Sequence, residues 1–294
     1  MKIATFWHNG TRQVGRLSAD GATVIPLLAG TQVGEVGALA LVMGMVAGAP
    51  LPPDEGQPLP LGEVRLDAPI PRPRRNVFCV GKNYHEHARE FAQSGFDSSS
   101  KPGDDIPAHP IIFSKVPESV LAPGAAIRIP AGVTEAVDYE AELAVVIGKG
   151  GRGIAAARAM EHVWGYTIIN DVTARDWQQR HKQWLLGKSL DTFCPMGPYL
   201  VTADQLDGTD TRVRCWINGE LRQDGRTSDL IFSIATLIET ISAGITLYPG
   251  DLISTGTPAG VGIGFHPPKY LQPGDLVRIE IDGIGVLENP VESS

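Results

Sequence analysis

Cysteine is scarce in this sequence. Three residues in 294, Cys79, Cys194 and Cys215, lie far apart and make no CxxC pair. That spacing argues against a disulfide framework and a zinc knuckle, and it fits a reducing, cytoplasmic compartment. Basic clusters are lacking too. The formal net charge is −8 and the one short basic run, Arg72-Pro73-Arg74-Arg75, reads as a linker, so no nucleic-acid surface is expected. Long apolar runs are also missing: Val36 to Leu51 is broken by Gly37, Gly44, Gly48 and Pro50 and falls short of the roughly 20 residues a membrane span requires. Met1 to Gly10 turns polar within a few residues, so no secretory leader is expected. No repeat array or heptad pattern is visible.

A hydrophobic fraction of 43% marks a soluble, globular chain, and 294 residues predict one large domain plus a small appendage. The first thirty residues read as an antiparallel meander with turns at Asn9-Gly10 and Asp20-Gly21. A Pro-rich linker follows from Pro50 to Gly62, which sets domain boundaries of 1–62 and 63–294. Beyond Val64 strands outnumber helices. Helices are expected over Ala155 to His162, Thr173 to Arg180 and Ser233 to Ala243, the last capped by Ser233. The segment Phe91 to Pro110, rich in Ser, Pro, Gly and Asp, has the length of a lid or of a surface loop without a role.

The chemistry concentrates in acids. Val137 to Ile147 reads as a strand, so Glu140 and Glu142 share a face. Ala144 and Val146 continue that face into the interior, where two adjacent acids are costly unless something positive compensates them. Asp171 ends the next apolar run and offers a third oxygen. The three fit a hard divalent cation, and they fit a buried salt-bridge network as well.

Other motifs surround them. His87 and Glu90, three apart in Gly81-Lys82-Asn83-Tyr84-His85-Glu86-His87-Ala88-Arg89-Glu90, have the spacing of an acid/base dyad or of an ordinary helix surface, with His85 a rival base. Lys188 follows an apolar run and is either an oxyanion partner or a snorkelling lysine. Arg175 near a helix start points to an anionic partner, with Gln178 one turn on. The glycines of Ser254-Thr255-Gly256-Thr257-Pro258-Ala259-Gly260-Val261-Gly262 would let backbone N–H groups approach a carboxylate. Gly148-Lys149-Gly150-Gly151-Arg152-Gly153 satisfies the dinucleotide fingerprint, yet the strand before it carries acids where such folds want a doubly buried apolar strand.

Taken in order, these motifs resemble the fumarylacetoacetate hydrolase superfamily from about Val77 to Val286, in its short bacterial form and its branch acting on 2,4-dioxo acids. The resemblance implies an α+β, β-rich fold: a mixed β-roll catalytic domain with few flanking helices, beside a small N-terminal β-containing domain, usually as a homodimer. It implies Mg²⁺ or Mn²⁺, with Ca²⁺ as a substitute in crystals, held by Glu140, Glu142 and Asp171. His87 and Glu90 would activate water, with Lys188 beside the oxyanion. Arg175, Gln178, Thr257, Gly256, Lys115 and Tyr84 would bind a 2-oxo acid. The expected reaction is hydrolytic C–C cleavage of a 2,4-dioxo acid to release pyruvate or a related acid. The alternative is an oxaloacetate-type decarboxylase or tautomerase, or an isomerase or dehydratase, on the same metal site. A nucleotide-binding oxidoreductase and a non-catalytic relative are the rivals from other classes.

Overall fold

The computed structural model describes residues 1–28, 30, 33–93 and 106–294. Most of the segment expected as a lid lies outside these residues. The architecture is α+β and rich in strands, as the resemblance implied.

A large mixed sheet forms the frame. From one edge its strands run Leu59–Pro60, Thr23–Pro26, Thr11–Leu17, Lys2–His8, Cys194–Thr202, Val163–Asn170, Ala141–Ile147, Leu252–Ser254, Val77–Gly81 and Ile111–Lys115. Most neighbours are antiparallel, but Val77–Gly81 runs parallel to Leu252–Ser254. The Asn9-Gly10 turn is present with both residues at positive φ, 49° and 77°, which suits the twist of a two-residue hairpin. The meander that it opens joins the central sheet through Ile3, opposite Leu200.

Ala141–Ile147 is buried along its whole length, and the two sides of the strand feed different cores. Leu143, Val145 and Ile147 pack toward a second sheet, built from Glu220–Arg226, Arg212–Ile217, Leu276–Ile281, Gly285–Ser293 and Ile127–Ile129, and toward the helix Ile234–Ser242. Ala144 and Val146 face the other way, into a core that includes Leu39, Leu41 and Val42 of the helix Leu39–Val46 along with Ile70, Val77 and Cys79. The expected helix starts hold to within a residue or two: Ser233 caps Ile234–Ser242 by accepting from the Thr236 N–H, and Arg175–His181 follows Asp171. The helix expected over Ala155 to His162 is one α turn, Ala156–Ala159, running into a 3₁₀ turn. Among the described residues no helix is long and apolar enough to cross a membrane.

The glycine fingerprint is a connection at the far end of the Glu142 strand. The N–H groups of Gly148, Gly151 and Gly153 donate to the carbonyls of His162, Leu247 and Ser242, which leaves them nothing to offer a phosphate.

Candidate active site

The register of the central sheet assembles the acids. Ala141 lies opposite Asn170, so the residues just beyond that pair, Glu140 and Asp171, meet across the end of the two strands. The Asp171 N–H donates to the Glu140 carbonyl at 2.9 Å, and the Asn170 side chain accepts from the Glu140 N–H at 3.0 Å. Glu142 turns into the same space, and oxygens of Glu140, Glu142 and Asp171 all lie within 4.8 Å of one another. The three are buried.

Cations close over this cluster. The Lys188 ammonium lies 2.7 Å from Glu140 and 2.8 Å from Asp171, Lys115 lies 2.6 Å from Asp171, and Arg175 lies 2.7 Å from Glu140. Gly187 permits that approach. A Cβ there would sit 2.6 Å from the Gln178 nitrogen and 2.8 Å from the Ala174 oxygen, so only glycine lets the short helix Leu185–Lys188 press against the start of Arg175–His181. The sequence left a metal site and a salt-bridge network open, and the cluster has the makings of both.

The two glutamates respond oppositely to these surroundings. Burial by itself would raise Glu140, but Lys188, then Arg175 and His87, outweigh it and hold the carboxyl down at about 2. Glu142 is pushed well above the usual carboxylate range by burial and by the charges of Asp171 and Glu140, only partly offset by the Ser254 hydroxyl donating to it at 2.6 Å. Burial would also lower Lys188, and Asp171 and Glu140 overcome it, so the ammonium stays charged. Three hard oxygen donors with no nitrogen or sulfur among them, one carrying a like-charge penalty only partly offset, suit a hard divalent cation. The triad can therefore hold a divalent ion.

A narrow cavity opens on the cluster, lined by Lys82, His87, Glu140, Glu142, Arg175, Gln178, Lys188 and Thr257, with Phe91, Phe113 and Trp184 as its apolar wall. Its free space, about 10 Å³, holds little more than one water. His87 is buried, and its Nδ1 lies 3.2 Å from Glu90, whose carboxylate accepts from the Gly260 N–H at 3.0 Å. His85, two residues earlier on the same helix, is exposed and lines a different cavity from His87. Gln178 accepts from Arg175 Nη1 at 3.2 Å, and Thr257 donates to the Ala141 carbonyl.

Three residues expected to touch substrate are placed elsewhere. Lys115 is fully buried beneath the triad and spends its donors on Asp171, on the Val172 carbonyl and on the Lys188 carbonyl, so it positions the acid and does not line the cavity. The Gly256 N–H approaches a carboxylate as expected, but that carboxylate is Glu142, at 3.0 Å. Tyr84 lines the neighbouring cavity, and its hydroxyl is buried with no hydrogen-bond partner among the described residues. In return the structure adds residues that sequence reasoning passed over. Lys82 and the aromatic wall line the cavity. Gln223 reaches from the hairpin strand Glu220–Arg226 to accept from Ala141 N–H and donate to Thr257 Oγ1 and the Pro258 carbonyl. Asn83 ties the segment before His87 to the Thr255 carbonyl. No spacing in the sequence signals the last two, because their partners lie 34 to 172 residues away along the chain.

Comparison with known proteins gives this geometry a context. The family model described as fumarylacetoacetate (FAA) hydrolase C-terminal matches residues 76–292. Oxaloacetate tautomerase YisK of Bacillus subtilis is 52% identical over 232 residues, which is 79% of this chain and 74% of that protein. The human mitochondrial oxaloacetate tautomerase FAHD2A is 47% identical over 236 residues, 79% of this chain and 71% of its own. Among solved structures, a fumarylacetoacetate hydrolase from Exiguobacterium antarcticum superposes with a TM-score of 0.82 at 39% identity, covering the whole of both chains. The relatives correct the expected reaction. The proteins at 47% and 52% identity are named for moving a proton within oxaloacetate, so hydrolytic C–C cleavage of a 2,4-dioxo acid gives way to the alternative.

Proposed function

The chain belongs to the fumarylacetoacetate hydrolase family of enzymes, and from that premise we propose that it is a metal-dependent tautomerase acting on oxaloacetate or a closely similar 2-oxo dicarboxylic acid. The observation that carries this reading is that His87, Lys188, Arg175 and Gln178 line one cavity with Glu140 and Glu142. Keto–enol exchange moves a proton between C3 and the 2-oxo oxygen. It breaks no carbon–carbon bond and needs no attacking water.

When bound by Glu140, Glu142 and Asp171, Mg²⁺ or Mn²⁺ supplies the charge that favours the enolate. The protein side of the reaction follows from the side chains. Arg175, Gln178 and Thr257 receive the substrate's carboxylate end. With Nδ1, 3.2 Å from Glu90, as the donor of that pair, Nε2 of His87 would be free to accept the C3 proton. Lys188, kept as an ammonium by its two acids, faces the developing enolate oxygen. A homodimer and a reducing, cytoplasmic compartment belong to the same proposal, the latter supported by three free, buried thiols.

The test is the decay of the ultraviolet absorbance of enol oxaloacetate after chelator treatment, with and without added Mg²⁺ or Mn²⁺. Metal-dependent acceleration without release of pyruvate or carbon dioxide supports the reading, and His87→Ala should lower that rate roughly 10²- to 10⁴-fold while metal binding persists. An unaccelerated decay, or pyruvate formed without tautomer exchange, sinks it.

A further inference from the structure

Asp138 has no role in the site as described so far, yet it is fully buried and accepts from four donors. Its Oδ1 takes the N–H groups of Gly262 at 2.6 Å and Tyr139 at 2.9 Å. Its Oδ2 takes the Ile263 N–H at 3.0 Å and Arg175 Nε at 2.9 Å. The short pairing of Val137–Asp138 with Thr173–Ala174 sets Asp138 beside the start of the Arg175 helix. The same turn that feeds Asp138 two N–H groups gives a third, from Gly260, to Glu90. One segment, residues 260–263, thus grips a carboxylate on each side of the cavity: the partner of His87 and the partner of Arg175.

The turn has no slack to move. Gly260 sits at φ 101° with its Cβ position 1.9 Å from the Arg222 oxygen, and a Cβ at Gly262 would meet the Lys269 oxygen at 2.4 Å and Asp138 Oδ1 at 2.7 Å. Arg175 in turn hydrogen-bonds through Nε and Nη1, and its Nη2, which makes no hydrogen bond among the described residues, forms an ion pair. Nε goes to Asp138, Nη2 lies 2.7 Å from Glu140 and Nη1 donates to Gln178. A guanidinium carries five N–H donors in a rigid plane, so fixing the Nε edge fixes the direction of the other two nitrogens. Glu140 and Gln178 both line the cavity, and so does the edge of Arg175 that meets them.

We propose that Asp138 is a positioning residue that sets the Arg175 guanidinium for the substrate's carboxylate, anchored on the turn that also holds Glu90. This rests on the reading of Arg175 as the carboxylate anchor. Asp138 touches no reacting atom. Its effect is to keep the anchoring group and the proton-transfer pair at a set separation, so that a substrate held at one end presents C3 at the other.

Asp138→Asn is the test, because the amide keeps the shape while one end must then turn N–H groups toward donors that need an acceptor. The readout is calorimetric binding of oxalate, a planar dianion resembling the enolate end of a 2-oxo acid, to the Mn²⁺-loaded protein. Oxalate affinity should fall about ten-fold or more, as when one partner of a buried charged hydrogen bond is lost. Mn²⁺ affinity and the unfolding profile should hardly change, and in the oxaloacetate assay KM should rise more than kcat falls. In an Arg175→Lys background the further loss caused by Asp138→Asn should largely vanish, since the residue acts through Arg175. If Asp138→Asn does not fold, Asp138→Ser, which removes the carboxylate without adding an atom to the turn, takes its place with the same expectation. Unchanged oxalate affinity, or an equal loss with Arg175 already replaced, overturns the proposal. The oxalate titration needs no turnover, so a wild-type protein silent toward oxaloacetate would end the tautomerase reading and leave this one still decided by binding.

Discussion

Glu140 and Glu142 are two residues apart, both buried, and their carboxyls are shifted in opposite directions. Glu140 owes its low value, about 2, to cations in contact, and remains a carboxylate across the physiological range. Glu142 faces a hydroxyl and a backbone N–H, which cannot offset burial and two like charges, so it keeps a proton at pH values where a free glutamate has lost it. The sign follows directly. A raised carboxyl favours the folded, cation-free protein at low pH, and that contribution is lost as pH rises through the raised value. A divalent ion bound at Glu142 must displace the proton, so Mn²⁺ affinity should climb as pH rises above the ordinary carboxylate range and through the raised value of Glu142. Calorimetry in buffers of different ionisation enthalpy should register proton release on binding. An affinity that does not vary with pH would show that Glu142 is already ionised before the metal arrives.

Elements decide whether such residues meet. The acids were legible because a strand has a period of two and because an antiparallel neighbour returns its end to the beginning of the first strand: Glu140, Glu142 and Asp171 follow from pattern and register. His87 and Glu90 were legible for a similar local reason, one turn of helix. Gln223, Asn83 and Ser254 were not, since each reaches the site through a contact between segments far apart in sequence. Lys115 and Tyr84 had suitable chemistry, but the direction of a side chain at a strand end or before a helix is set by what packs behind it. Gly256 marks the boundary between the two kinds of inference. Glycine signalled a close backbone approach, and only the assembled loop reveals that the approach is to Glu142. At φ 103°, with a Cβ position 2.8 Å from the Asn83 side chain, Gly256→Ala should cost about 2–4 kcal/mol from backbone strain plus crowding. It should also weaken Mn²⁺ binding by shifting the N–H that holds Glu142. Urea unfolding and a metal titration check the two effects, and a stability loss below about 0.5 kcal/mol would mean the loop absorbs the methyl group without strain.

At the scale of the whole molecule, the Pro-rich stretch before residue 63 suggests a boundary in the sequence, and the sheet runs across it. Lys2–His8 pairs with Cys194–Thr202, the Thr5 hydroxyl donates to the Pro69 carbonyl, and Arg65–Asp67 pairs back onto Lys2–His8. More telling is the cover that the N-terminal helix gives to the strand bearing the acids. Ile3, Val14, Leu39, Leu41 and Val42 share one core with Ala144, Val146, Ile169, Met196 and Leu252. Burying five such side chains stabilises by about 1.5–3 kcal/mol each, a sum comparable with the 5–15 kcal/mol by which a typical domain is stable. A chain of residues 63–294 alone would open the Ala144 and Val146 face to water directly beneath Glu142. We therefore expect it to lose cooperative unfolding and to bind an apolar dye such as ANS, although the whole of the family match lies within it. Adding residues 1–62 as a separate polypeptide should restore the transition, because the contacts are packing and sheet pairing that need no covalent link. A truncated chain that melts cooperatively at the temperature of the full protein would show that the catalytic sheet is complete without its N-terminal cover.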